Sequence, residues 1–93
     1  MQLRDNYQYN YIATNTTTNV DVGQGQLVRI VLTETAAGAI TIYDEEAGGT
    51  TNIIAVLKAS VVEGTYEFGV NYSQGIQVVT AGASKLTVVY SPI

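Results

Sequence analysis

The chain has no histidine, no cysteine and no tryptophan, and it has a single proline and a single phenylalanine among its 93 residues. General acid/base work near neutral pH, thiol chemistry and most transition-metal sites draw first on histidine or cysteine. Their absence removes several enzyme classes before any motif is read. Lack of cysteine also fits a reducing compartment, or a particle assembled in one. Basic residues are few: Arg4, Arg29, Lys58 and Lys85 stand scattered against eight acidic residues, for a net charge of −4. A phosphate backbone needs concentrated positive charge, so nucleic acid is not an expected partner. No stretch approaches the length of a transmembrane helix, and the start at Met1 to Asn6 has no basic segment leading into an apolar one. The expectation is a soluble protein with no signal peptide and no membrane partner.

A chain of this length makes one domain with a thin core. Small domains are commonly reinforced by disulfides, by a metal or by subunit contacts. The first route is closed and the second is poorly supplied with ligands, which leaves oligomerisation.

What the chain does contain is a succession of short β-type runs between glycine turns. Tyr7-Gln8-Tyr9-Asn10-Tyr11 sets three tyrosines at period two, on one face of an extended segment. Residues 1–13 therefore read as an N-terminal extended arm or edge strand, and residues 14–93 as the domain proper. Tyr7, Tyr9 and Tyr11 are the candidate interaction residues, because tyrosine is a favoured interface anchor. Further strands are expected at Val20 to Val22, Gln26 to Thr35, Ile40 to Asp44, Ile53 to Leu57, Tyr66 to Val70, Ile76 to Val79 and Leu86 to Tyr90. Asn71 to Gly75 reads as a turn, and Pro92 ends the last strand. No segment sustains a helical apolar period. The spacing predicts an all-β protein, a two-sheet antiparallel β-sandwich of about eight short strands, jelly-roll or Greek-key in type. Consistent inward phase predicts a core of Val28, Ile30, Leu32, Ile40, Ile42, Tyr66, Phe68, Val70, Ile76, Val78, Leu86 and Val88.

The candidate chemical sites reduce to simpler readings. Asp44-Glu45-Glu46 is an acidic cluster without the alternating ligand spacing of a calcium loop, and it reads as a solvated turn. Gly23-x-Gly25 lacks the third glycine and the helix of a phosphate loop, so its glycines are expected to supply a turn with positive φ. Asp21, Glu34, Glu63 and Glu67 could serve a carboxylate hydrolase only if two of them converged, and nothing in their spacing brings them together. The serines at 60, 73, 84 and 91 have no histidine partner. No enzyme activity, metal or cofactor is expected. The apolar pairs Ile53-Ile54, Val61-Val62, Val78-Val79 and Val88-Val89 each point one side chain outward from the sandwich. Gathered on one sheet, the outward members would form a partner-binding patch.

The strings Gly23-Gln-Gly-Gln-Leu-Val-Arg-Ile-Val-Leu, Ala39-Ile-Thr-Ile-Tyr-Asp, Gly64-Thr-Tyr-Glu-Phe, Gln74-Gly-Ile-Gln-Val-Val-Thr and Lys85-Leu-Thr-Val-Val-Tyr resemble a group of small virion proteins of tailed bacteriophages, head decoration (cement) or other minor structural proteins. The similarity runs from about Thr14 to Tyr90. It implies a β-sandwich homo-oligomer, a homotrimer by preference, that is assembled in the host cytoplasm. On the virion it would sit on the capsid surface and bridge units of the major capsid protein, gripping the shell through its N-terminal arm. A tail or neck adaptor or fibre component is an alternative, and so is a carbohydrate- or receptor-binding module with Tyr43, Tyr72 and Tyr90 stacking on sugars.

Overall fold

The computed structural model describes residues 7–93, so the part of the arm reading that falls on residues 1–6 lies outside the described residues. Eight strands follow in order: β1 (Gln8–Ile12), β2 (Thr17–Val22), β3 (Gly25–Glu34), β4 (Ile40–Tyr43), β5 (Ile53–Leu57), β6 (Gly64–Tyr72), β7 (Gly75–Thr80) and β8 (Lys85–Pro92). They form two antiparallel sheets, A in the order β1-β8-β3-β6 and B in the order β2-β7-β4-β5. The pairings β1 with β8, β2 with β7, β3 with β6 and β4 with β5 nest inside one another. The chain is in effect a long hairpin rolled into two layers, joined within the sheets by β3–β8 and β4–β7 pairing. This is the jelly-roll form of the sandwich.

The core lies between the sheets and follows the period-two alternation. Leu27, Ile30 and Leu32 of β3 and Leu86 and Val88 of β8 face Ile40 and Ile42 of β4 and Ile76 and Val78 of β7, all shut off from solvent. Ile12, Val20, Leu57 and Tyr72 complete the cluster from the four edge strands. Eight of the twelve residues expected inside belong to that cluster, and Val28 is buried beside it. β6 departs from expectation. Tyr66 and Phe68 only pack against the core from a half-buried position, and Val70 is 36% exposed. Val70 is paired with buried Leu27, so its phase was read correctly. Its strand, however, ends the sheet, and no neighbour closes over that side.

Two glycines explain local breaks in the pattern. Gly69 has φ of 65°, a left-handed conformation that side chains disfavour. It lies where the register slips between Leu27 and Arg29 of β3 against β6, as at a bulge. Gly25 was expected to serve a turn, but it stands in β3 opposite Tyr72. A Cβ there would come within 2.4 Å of the Tyr72 Oη, so the missing side chain makes room for the phenol. Only Gly23 of the Gly23-x-Gly25 motif has a positive φ.

Candidate assembly surface

The three tyrosines of the N-terminal segment are placed by β1. Gln8–Ile12 is one of the two edge strands of sheet A, with Ile12 in the core and Tyr9 and Tyr11 turned to the opposite, outer side. Tyr7, Tyr9 and Tyr11 are all exposed, Tyr9 by 74%. Register carries this face across the whole sheet. Tyr9, Val89, Arg29 and Glu67 form one row, and Tyr11, Thr87, Val31 and Thr65 form the next. The Arg29 Nε donates to the Glu67 Oε2 at 3.0 Å. At one end of the face the Lys85 ammonium lies 2.9 Å from Glu34, and that hydrogen bond and charge, with a smaller effect from Tyr11, hold the lysine above its ordinary range. The surface is thus aromatic at one edge, aliphatic and hydroxylic through Val89, Thr87 and Val31, and charged at the other edge. That composition suits binding to protein, where tyrosine and arginine are enriched.

The outer side of sheet B is organised differently. Gln77 faces outward in the row Asn19, Gln77, Tyr43, Ile53, yet it is buried. The β4–β5 loop folds over it: the Gly48 N–H donates to the Gln77 Oε1 at 2.8 Å, and the Gln77 Nε2 donates to the Gly49 carbonyl at 2.6 Å. The loop is fastened at its base by Glu45. One oxygen of that buried carboxylate accepts from the backbone N–H groups of Thr51 and Asn52 and from the Asn52 amide. Asp44 holds the neighbouring β6–β7 turn through the N–H groups of Ser73, Gln74 and Gly75 and the Ser73 hydroxyl. Burial pushes the Asp44 carboxyl up, but these donors outweigh it and leave it below the usual carboxylate value. Two of the three residues in the acidic cluster therefore serve as loop fasteners, where the sequence pattern alone predicts a solvated turn. No group of three ligating residues able to hold a metal occurs among the described residues.

The remaining described acids outside that cluster are engaged one by one. Glu34 pairs with Lys85, Glu67 with Arg29, and Glu63 accepts from the Thr35 N–H. Asp21 receives the Tyr72 hydroxyl at 2.6 Å, a bond that ties sheet A to sheet B. Burial, then that hydrogen bond, pushes the Tyr72 phenol well above its ordinary range. The tyrosines considered for sugar stacking do not share a platform. Tyr72 is in the core, Tyr90 packs against it from within sheet A, and Tyr43 lies on the outer side of sheet B. Ser73 serves Asp44, Ser60 sits in a turn with φ of 58°, and the Ser84 hydroxyl is buried without a partner. Each apolar pair does place one member further outward, but the outward members are divided: Val89 on sheet A, Val79 and Ile53 on sheet B, and Val62 in the β5–β6 connection. An open depression of about 390 Å³ at one end of the sandwich is lined by Gln24, Gly25, Asp44, Asn71, Tyr72 and Ser73 together with Ile93. Its one acidic side chain among the described residues, Asp44, already accepts from the Ser73, Gln74 and Gly75 N–H groups and the Ser73 hydroxyl.

No family model matches the chain, and no curated protein matches it in sequence.

Proposed function

We propose that this protein is a structural subunit of a tailed-bacteriophage virion, a decoration protein that binds the assembled shell as a symmetric homo-oligomer and stabilises it by bridging neighbouring capsomers. The observation that carries this reading is the open outer face of sheet A, edged by Tyr7, Tyr9 and Tyr11. The resemblance in the strand and turn strings supplies the phage context. Bridging needs no chemistry: it needs apolar and aromatic area that spans a boundary between capsid units. Each tyrosine buried at such a contact contributes about 2 kcal/mol, the level of an interface hot spot.

The test is cosedimentation of the purified protein with shells of the phage that encodes it. The native chain is expected to bind and to raise the temperature at which the shells rupture. The double variant Tyr9→Ala/Tyr11→Ala is expected to stay folded and not bind. Attachment to tails instead of heads would move the protein to the adaptor or fibre position, and glycan binding by a monomer would replace this reading with the receptor-binding one.

A further inference from the structure

Strand β5 closes sheet B and, among the described residues, pairs only with β4. An edge strand presents a row of unpaired N–H and C=O groups, which proteins usually guard with charge, proline or a broken register. β2 and β6 are guarded in this way, by Asp21 and Glu67 respectively and by register slips. β5 reads Ile53-Ile54-Ala55-Val56-Leu57, with no charge and no polar side chain. Its one irregularity, against the Ile42–Tyr43 step of β4, falls at Ile54 and leaves Ala55 to Leu57 regular. Ile53 and Val56 are 57% and 54% exposed on the outer side of the sheet. Such an edge accepts a further extended strand by main-chain pairing.

We propose that β5 docks on β5 of a second copy, antiparallel about a two-fold axis at Val56, so that the B sheets of two molecules become one continuous sheet. That axis sets Val56 opposite the partner's Val56 and Ala55 opposite the partner's Leu57. Opposed residues share a face. The two valines meet on the outer side, and Ala55 and Leu57, which pair with core residues Ile42 and Ile40, meet on the inner side where they extend the core. Charge selects both the occupant and its direction. Lys58 follows β5 and has no ion pair among the described residues, whereas the acidic loop Asp44 to Glu46 stands at the Ile53 end, held to Asn52. Antiparallel pairing turns each Lys58 toward the acidic end of the other copy, and parallel pairing would stack lysine on lysine. The contact is isologous, the commonest form of homo-oligomer interface. It uses a surface separate from the tyrosine face and makes a two-fold dimer where the resemblance implies a homotrimer, so it is tested separately from shell binding.

The chain has no cysteine, so single substitutions report the register directly. Val56→Cys, on the axis, is expected to give a disulfide-linked dimer under mild oxidation, and Ile53→Cys to give none. Light scattering of the native chain is expected to show a dimer, and Val56→Lys to raise its dissociation constant about a hundredfold by setting like charges together, with an unchanged circular dichroism spectrum. Tyr9→Ala/Tyr11→Ala should leave the dimer intact. A monomer, a trimer, equal cross-linking from positions 53 and 56, or dissociation caused by the tyrosine variant would overturn the proposal.

Discussion

The two outer faces of the sandwich dispose of their polar groups in opposite ways. On sheet B, a glutamine in the middle of the face is buried under a loop, and the loop is anchored by a buried carboxylate. On sheet A, Tyr9, Tyr11, Thr65 and Glu67 are open to solvent, and the ion pair of Arg29 with Glu67 lies on the surface. The difference teaches where this chain commits its polar chemistry. Sheet B uses its amides and carboxylates to cover the middle of its outer face, and β7 is consequently buried at every position but Val79. Sheet A keeps an aromatic and aliphatic surface available for another molecule. A surface of that kind on a small domain with a thin core is what an assembling subunit requires.

If sheet A is held only from its inner side, the largest stability losses should come from beneath it. Ile30→Ala, at a fully enclosed position of central strand β3, should cost about 2–5 kcal/mol in urea-unfolding experiments. Phe68→Ala removes a larger side chain from the same inner layer, but from a half-buried place on edge strand β6. It should cost roughly half as much as a buried aromatic truncation. A loss below about 1 kcal/mol at Ile30 would mean that the assignment of inner and outer sides is wrong.

The next pair of substitutions compares the faces directly. Glu45→Ala leaves two backbone N–H groups and an amide without their acceptor under the sheet B loop and should cost about 2–3 kcal/mol. Gln77→Ala strands the Gly48 N–H and Gly49 carbonyl and should cost about 1–3 kcal/mol. Glu67→Ala removes only an exposed ion pair of sheet A and should change stability by no more than about 0.5 kcal/mol. Thermal melts of the three variants are sufficient. An equal loss at Glu67 would show that the sheet A face is as strongly self-organised as that of sheet B.

The fold was legible because alternation survives almost everywhere: Ile30, Leu32, Ile40, Ile42, Ile76, Val78, Leu86 and Val88 announce their inner side by period two alone. The failures have physical causes. Val70 keeps the right phase but lies on an edge, and a single sequence does not say which strands are edges. Asn71, Ser73, Gln74 and Gly75 give Tyr72 the surroundings of a turn residue, yet its ring fills the space left by Gly25 and its hydroxyl reaches Asp21 on the other sheet. That contact joins residues 51 positions apart, beyond any local pattern. Gln77 gave no local signal either, since a polar residue between two buried ones is what an ordinary solvent-facing position looks like. The tyrosine face was legible from Tyr7, Tyr9 and Tyr11, but its continuation through Val89, Thr87 and Val31 needed the jelly-roll strand order. The acidic cluster misled for a related reason. Two carboxylates that saturate backbone donors have the same sequence as two that face water.

The acid limb of the stability curve gives the test most specific to this division of labour. Asp44 fastens the β6–β7 turn while ionised, and its donors hold its carboxyl below the ordinary value in the folded state. A group depressed on folding contributes stability that is present above its unfolded value, about pH 4 for aspartate, and that is lost as the pH falls through the lower folded value. Acidification below about pH 4 should therefore weaken the native chain partly through Asp44. Asp44→Asn keeps the shape but removes the charge and one acceptor oxygen, and should lower stability at neutral pH by about 1 kcal/mol. Its stability should then fall less steeply than that of the native chain on the acid limb, because no proton is taken up at that position on unfolding. Parallel acid limbs in chemical denaturation would mean that the turn is held by its backbone pairing alone. The Gly23 N–H to Gln74 carbonyl bond beside it would be the element responsible, and the role of fastener would then rest with Glu45.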